Sequence, residues 1–142
     1  MARKFLIALT VVVWTLALTE MTRADTLTIH IEDVHVAEGT LMLQVMGSTA
    51  EFADEAPATA AFQQKAQKGP MSYTVTLPPG TYALRVMHDV NDNGKLDANF
   101  VGIPSEPWAF SNNATGNFGP PEWSDVQFIV DGDTTQQLKL NK

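Results

Sequence analysis

Over most of its length the chain alternates apolar and polar residues with a period of two. In the first such segment Leu27, Ile29 and Ile31 alternate with polar residues. Successive side chains of a β-strand point to opposite faces, so this alternation predicts strands that each bury one face. On this basis strands are expected at residues 26–32, 40–46, 72–77, 81–89, 126–130 and 136–140.

These short strands, with turn-rich connections and almost no helical pattern, predict an all-β fold. We expect a single domain over residues 25–142, an antiparallel β-sandwich of about seven strands. The first two strands are expected to form a hairpin or the start of a meander, and the last two a closing hairpin across residues 131–133. Residues 51–69 have little apolar bulk and are expected to be a mobile excursion over one sheet edge, in which residues 58–67 could form a short helix.

One stretch, residues 88–121, breaks the alternation and is rich in Asn, Gly and Pro, which predicts one long ordered loop. Residues 89–97, the Asp/Asn loop, carry oxygen side chains at alternate positions followed by Gly94. This matches the first nine positions of an EF-hand-type calcium loop, in which a Gly at the sixth position makes a sharp turn. The candidate Ca²⁺ ligands are the side chains of Asp89, Asn91, Asn93 and Asp97 and the carbonyl of Lys95.

The loop departs from the EF-hand pattern at its end. Position 12 is Phe100, where an EF-hand has a bidentate Glu, and no amphipathic helix flanks the loop. Asp92, Asn99 or Glu106 could complete the shell of about six to eight oxygens that Ca²⁺ prefers. Alternatively, the Asn and Asp side chains bind their own backbone in Asx-turns, and no metal is needed. Both interpretations stay open at this point, and Leu96 is expected to point into the core.

The sequence also offers a catalytic hypothesis. His88 lies next to Asp89, and Ser111 could serve as a nucleophile. Adjacent residues on a strand point to opposite faces, however, and no nucleophile-elbow motif accompanies Ser111. His88 is therefore expected to hydrogen-bond with the neighbouring loop, and the protein is expected not to be an enzyme.

A cluster of aromatic and amide residues follows the Asp/Asn loop. Four aromatic side chains could form a face that binds a sugar or peptide, or they could hold the long loop against the sandwich: Trp108, Phe110, Phe118 and Trp123. We favour the second interpretation, because a structured connection of this length needs apolar burial of its own. Ser111, Asn112 and Asn113 are then expected to stabilise turns by binding backbone groups.

The N-terminus has the pattern of a signal peptide. Arg3 and Lys4 precede an apolar run at residues 5–18, and small residues follow, with cleavage expected after Ala24. The run is shorter than the roughly 20 residues of a membrane-spanning helix. We therefore expect residues 1–24 to be removed, and the mature protein to be periplasmic or extracellular with no membrane span.

Charge and cysteine content narrow the classes of partner. Loss of Arg3, Lys4, Glu20 and Arg23 would change the formal net charge from −7 to −9. An acidic domain is poorly suited to nucleic acid, so cations or polar small ligands are the expected partners. Because the chain has no Cys, its stability must come from its core or from a bound ion. We expect a monomer.

A series of short motifs occurs along the mature chain, at residues 77–83, 88–97, 102–104, Glu106, 110–114 and 119–121. Together these motifs resemble an exported bacterial family known only as a domain of unknown function, number 2141. The resemblance covers essentially the whole mature chain and implies export, a small β-sandwich of the immunoglobulin or transthyretin kind, and no established activity. One departure is Ala109, where the family pattern expects Gly.

Together these observations lead to one functional expectation and one alternative. We expect an exported, non-enzymatic β-sandwich module with a calcium-like Asp/Asn loop, serving as a binding or structural component of the cell envelope. Its partner would be an envelope protein or a polar small ligand. The alternative is a periplasmic hydrolase that uses His88 and an aspartate of the loop.

Overall fold

The computed structural model of the chain describes residues 23–142. The predicted signal peptide, residues 1–24, lies outside this part except for its last two residues. The guanidinium of Arg23 contacts the carboxylates of Asp25 and Asp131 at 2.8 and 2.9 Å. Within the described part of the chain, no helix is long and apolar enough to cross a membrane.

The fold of residues 23–142 consists of eight strands and two one-turn helices. The strands are β1 Asp25–Val34, β2 Thr40–Met46, β3 Ala60–Lys65, β4 Gly69–Leu77, β5 Gly80–Asp89, β6 Trp108–Phe110, β7 Phe128–Val130 and β8 Thr134–Leu138. The helices are α1 Thr49–Phe52 and α2 Trp123–Val126, and a 3₁₀ turn covers Ser111–Asn113.

The strands form two sheets around one core. The first sheet has the order β4-β1-β8, and the second has the order β3-β2-β5-β6, with β7 pairing to the start of β5. The predicted inward face of β1, Leu27, Ile29 and Ile31, is fully buried in this core. Side chains of β2, β5 and β8 join the same cluster. The prediction of an all-β sandwich is confirmed.

The predicted pairing of neighbouring strands is wrong in two places. β1 and β2 lie in different sheets, since β1 pairs with β4 and β8 while β2 pairs with β3 and β5. β7 and β8 also separate, and β8 pairs with β1 in parallel. In a sandwich a short turn can carry the chain from one sheet to the other, so adjacent strands need not pair.

The expectation for residues 51–69 is also wrong. Residues 60–65 form the edge strand β3 rather than a helix, and the short helix α1 comes earlier. Phe62 is the one large apolar side chain of β3, and its ring lies 6.0 Å from that of the buried Tyr73. The carboxylate of Glu51 accepts hydrogen bonds from Gly47 and Thr59 and so closes the connection between β2 and β3.

The long Asn/Gly/Pro-rich stretch is divided by a strand that the sequence analysis missed. β6 pairs with the middle of β5 and places Ala109 opposite Val86. Ala109 is fully buried there, and Trp108 exchanges backbone hydrogen bonds with Asn141 near the chain end. The Asp/Asn loop therefore lies in a connection that runs from the end of β5 to the start of β6.

Candidate functional site

The Asp/Asn loop begins at the last residue of β5, Asp89, which is fully buried. Its Oδ1 accepts a hydrogen bond from the backbone of Asn93 at 3.0 Å, and its Oδ2 accepts one from Gly94 at 2.7 Å. Gly94 has a φ of 78°, in the left-handed region that a side chain rarely adopts. The Asp89 carboxylate thus fixes the turn at Asn93 and Gly94 through two hydrogen bonds to the backbone.

A second buried carboxylate holds the two ends of the loop together. Glu106 is 6% exposed, and its Oε1 accepts from the backbone of Val90 at 2.8 Å while its Oε2 accepts from Asp97 at 3.0 Å. Because these N–H groups lie at opposite ends of the loop, Glu106 fixes the loop as a closed unit.

The amides of Asn91 and Asn93 face the carboxylate of Asp97. Their Nδ2 atoms donate to it at 2.6 and 3.0 Å. Their Oδ1 atoms accept from the backbone of Asn93 and Lys95 at 3.1 and 2.9 Å, which is the Asx-turn pattern. Hydrogen bonds from Asn93 and then Asn91 lower the pKa of Asp97 below its usual value. Three of the five predicted ligand residues, Asn91, Asn93 and Asp97, are therefore joined by side-chain hydrogen bonds.

The carboxylates in and beside the Asp/Asn loop differ in whether they bind a cation. Asp92 binds Lys65 and the Thr40 hydroxyl, each at 2.6 Å, and these contacts lower its pKa. Among residues 23–142, by contrast, Asp89, Asp97 and Glu106 make no salt bridge. Asp92 is thus committed to β2 and β3, whereas the other three carboxylates have only N–H donors.

The donor set of the loop fits a hard cation in its chemistry, because carboxylate, amide and carbonyl oxygens are the ligands of Ca²⁺. In the described residues no three His, Cys, Asp or Glu side chains converge as a metal-binding group. A Ca²⁺ shell would therefore need the Asn91 and Asn93 oxygens, which requires both amides to turn. The prediction for Leu96 is wrong, because this side chain is 39% exposed and borders a surface groove instead of the core.

The residues of the catalytic hypothesis lie away from solvent. His88 is fully buried, with Nε2 2.8 Å from the carbonyl of Glu38 and Nδ1 without a partner among the described residues. Ser111 is also fully buried. Its hydroxyl accepts from the backbone of Leu84 at 2.9 Å and donates to the carbonyl of Val126.

Asn112 and Asn113 follow Ser111 with φ values of 59° and 51°. The Nδ2 of Asn112 donates to the carbonyls of Asp125 and Gln127, each at 3.0 Å. Asn113 binds the chain beyond β8, where its Oδ1 accepts from the backbone of Lys139 at 2.8 Å. Both side chains join the end of β6 to later parts of the fold.

The outer face of the second sheet carries a groove that the sequence analysis did not identify. We call it the outer groove, and its floor consists of two rows that cross the strands. One row places Gln44, Arg85 and Phe110 side by side, and the other places Met42, Met87 and Trp108 in the same way. The groove has a volume of about 690 Å³.

The walls of the outer groove come from opposite ends of the strands. Gly94 and Leu96 of the Asp/Asn loop border it on one side, and Phe52 and Asp54 border it on the other. Beyond Phe52, a small apolar cluster with Met46, Ala83 and Trp123 covers the rest of this sheet face. The groove is the uncovered strip between this cluster and the loop.

Aromatic rings line one side of this strip. The ring centroids of Trp108 and Phe110 lie 5.6 Å apart, and those of Phe110 and Phe52 lie 5.8 Å apart, both edge to face. Phe52 also contacts Trp123 at 6.0 Å. Trp108 and Phe110 therefore supply the aromatic side of the groove floor on β6. Trp123 packs in the small apolar cluster, and Phe118 is fully exposed.

One ion pair lies at the end of the groove floor. Arg85 binds the Gln44 side-chain oxygen at 2.8 Å and both carboxylate oxygens of Asp54. The hydrogen bonds from Arg85 lower the pKa of Asp54. Arg85 is 27% exposed in its side chain and Asp54 is 68% exposed, so the guanidinium belongs to the floor and the carboxylate to the rim.

Fold and motifs together define a small β-sandwich with a structured Asp/Asn loop. The chain belongs to the family DUF2141, described as an uncharacterised protein conserved in bacteria, whose model matches residues 29–138. The matched segment contains the Asp/Asn loop and the outer groove. Comparison with curated proteins and with solved structures gave no match.

Proposed function

We propose that this protein is an exported, non-enzymatic β-sandwich module of the bacterial cell envelope whose Asp/Asn loop binds Ca²⁺. The observation that carries the proposal is the pair of buried carboxylates, Asp89 and Glu106, which have no salt-bridge partner among residues 23–142. Buried charges in proteins are generally paired or coordinate metals. Asp97 adds a carboxylate at the surface of the same loop, which would bind the cation together with Asp89 and the loop amides.

The expected Ca²⁺ coordination shell uses the five ligand residues that the sequence pattern predicts. Asp97 would bind through its carboxylate, Asn91 and Asn93 through rotated amides, and Lys95 through its carbonyl. Asp89 already orders the turn by accepting two backbone N–H groups, which leaves further lone pairs on its oxygens for a cation. Because Ca²⁺ affinity follows the number of charged ligands, loss of Asp97 should weaken binding most directly.

A hydrolase that uses His88 is the less favoured candidate. The imidazole is fully buried and held on the Glu38 carbonyl, and the Ser111 hydroxyl is occupied by two backbone groups. A nucleophile and its base must come within hydrogen-bond reach of each other and of the substrate. Neither side chain offers a substrate that access.

Isothermal titration with CaCl₂ tests the cation site. The wild-type protein should bind Ca²⁺ with one-site behaviour, and Asp97→Asn should weaken binding by about tenfold or more. Asp92→Asn is the matched control, because Asp92 lies in the same loop but is bound to Lys65 and Thr40. Equal affinity of wild type and Asp97→Asn would contradict the proposed ligand set.

Export is tested separately by the mass of the protein recovered from a bacterial periplasmic fraction. The proposal predicts a chain that begins at Asp25. A chain that retains residues 1–24 and remains with the cytoplasmic fraction would contradict export.

A further inference from the structure

We propose that the outer groove is a second binding site, which accepts a planar aromatic carboxylic acid. The ring would lie on Met42 and Met87 beside Trp108, and its carboxylate would bind Arg85 in place of Asp54. This site does not depend on Ca²⁺ or on export, so its failure would leave the proposed function untouched.

The dimensions of the groove suit a ligand of this size. Its floor crosses three strands and two side-chain rows, about 10 Å by 7 Å from the usual strand spacing and rise per residue. Its volume of about 690 Å³ lies within the roughly 300–1,000 Å³ of ordinary ligand pockets.

The composition of the floor favours a planar apolar body. Met42 and Met87 are outward-facing positions of β2 and β5 that lie directly opposite each other, where a solvated sheet face would carry polar residues. Thioethers adapt to flat ligands and make favourable contacts with aromatic rings. Trp108 and Phe110 continue these floor rows on β6, where edge-to-face contacts with a bound ring are available.

The charge at the end of the floor selects a carboxylate. Arg85 presents a planar fork of donors that binds carboxylates in bidentate geometry, and it already does so with Asp54. Asp54 has a φ of 60° and is mostly exposed, so its carboxylate can return to water when another replaces it. A ligand carboxylate would therefore exchange one ion pair for another rather than bury a new charge.

The net charge of the protein acts against an anionic ligand at long range. Screening at physiological ionic strength limits such effects to roughly 8 Å, so the direct contact with Arg85 decides the preference. We therefore expect the acid to bind about tenfold more tightly than the matching neutral alcohol, which corresponds to one charge-assisted hydrogen-bonded contact.

The test is an NMR titration of protein labelled with ¹³C on the Met methyl groups, using 2-naphthoate and 2-naphthalenemethanol. Naphthoate should shift the Met42 and Met87 methyl signals in a saturable manner. The methyl group of Met71, which is buried in the core on β4 of the first sheet, should remain unchanged and report that the fold is intact. The alcohol should produce similar shifts with about tenfold weaker affinity.

Two variants and one control test whether the contact with Arg85, rather than the overall charge of the protein, sets the preference for the acid. Arg85→Gln should remove the preference for the acid, and Asp54→Asn should strengthen naphthoate binding by freeing Arg85. Glu55→Gln is the control, since it removes the same charge one residue away without a contact to Arg85. The proposal is overturned by no saturable shift at Met42 and Met87, by equal affinities for acid and alcohol, or by equal gains in Asp54→Asn and Glu55→Gln.

Discussion

Glu106 shows at the residue scale how much of the Asp/Asn loop depends on one side chain. Its two oxygens each accept a backbone N–H, from Val90 and from Asp97, in a nearly buried position. In Glu106→Gln one of these N–H groups would face the amide nitrogen, and a buried donor would lose its acceptor. We expect a loss of about 2–3 kcal/mol in the free energy of unfolding, measured by urea denaturation.

The control for this change is Glu38→Gln, an exposed position whose side chain has no hydrogen bond among the described residues. It should stay within about 0.5 kcal/mol of wild type. Equal effects of the two substitutions would mean that Glu106 does not hold the loop together.

Ser111 has a structural role that can be measured in the same way. Its hydroxyl accepts a hydrogen bond from the N–H of Leu84 in β5 and donates one to the carbonyl of Val126 in α2. All three residues are buried from water. Ser111→Ala should destabilise the protein by about 1–3 kcal/mol, because both backbone groups lose a partner. Ser124→Ala, at an exposed residue of α2, is the control and should have little effect. A catalytic Ser111 would instead give a variant of unchanged stability.

Single residues also show the limits of reading a site from sequence. The spacing of Asp89, Asn91, Asn93 and Asp97 was sufficient to predict that they share one loop, because nearby residues must stay close together. Arg85 and Asp54 could not be paired in this way, since their contact depends on the position of α1 over the sheet. The outer groove had two sequence signals. One was the pair of aromatic residues Trp108 and Phe110, and the other was the apolar pair Met42 and Met87 at positions that alternate with the core.

At the scale of elements, Glu51 joins α1 to the start of β3. Its carboxylate accepts hydrogen bonds from Gly47, Thr59 and Ser48, and these bonds, led by that from Gly47, lower its pKa below the usual 4.5. A carboxyl group whose pKa is lower in the folded state contributes stability above the unfolded pKa. That contribution is lost as the pH falls through the folded pKa.

Glu51→Gln should therefore lower the free energy of unfolding at pH 7 by about 0.5–1 kcal/mol, a range reduced for solvent exposure. The difference from wild type should shrink as the pH falls below about 4.5. Urea denaturation at pH 7 and pH 3 measures both values. Glu55→Gln is the control, because this residue lies in the same segment but its side chain has no hydrogen-bond partner among the described residues. It should show no such convergence. A difference that is independent of pH would contradict the assignment.

Individual strands were more predictable than their partners. The segments that became β1, β4 and β5 alternate strongly, so their positions followed from the sequence. β3 was missed because Phe62 is its only large apolar residue, and β6 was missed because it is short and lies among Asn, Gly and Pro. Pairing depends on which sheet each strand enters, and the parallel contact of β1 with β8 joins the two ends of the domain.

At the scale of the whole molecule, the parallel pairing of β1 with β8 predicts that the fold depends on its C-terminal strand. Truncation after Asp133 removes β8 together with the buried Leu138 and Leu140. Burial of each leucine contributes about 1.5–3 kcal/mol to the free energy of unfolding, and β1 would also lose a strand partner. These losses are large compared with the total stability of a typical domain, which is about 5–15 kcal/mol. We expect no cooperative thermal transition by circular dichroism. Removal of Lys142 alone should leave the transition intact, and a truncated chain that still melts cooperatively would contradict this account.

The most direct test of Ca²⁺ binding by the Asp/Asn loop is the melting temperature of the protein, measured in chelator and then in rising concentrations of CaCl₂. A cation bound only by the folded state stabilises it by about 2.7 kcal/mol at a hundredfold excess over Kd. We predict a melting temperature that rises steadily with Ca²⁺ in the wild type and in Asp92→Asn but not in Asp97→Asn. An unchanged melting temperature at millimolar Ca²⁺ would contradict the claim and leave residues 89–97 as a turn held only by its Asx hydrogen bonds.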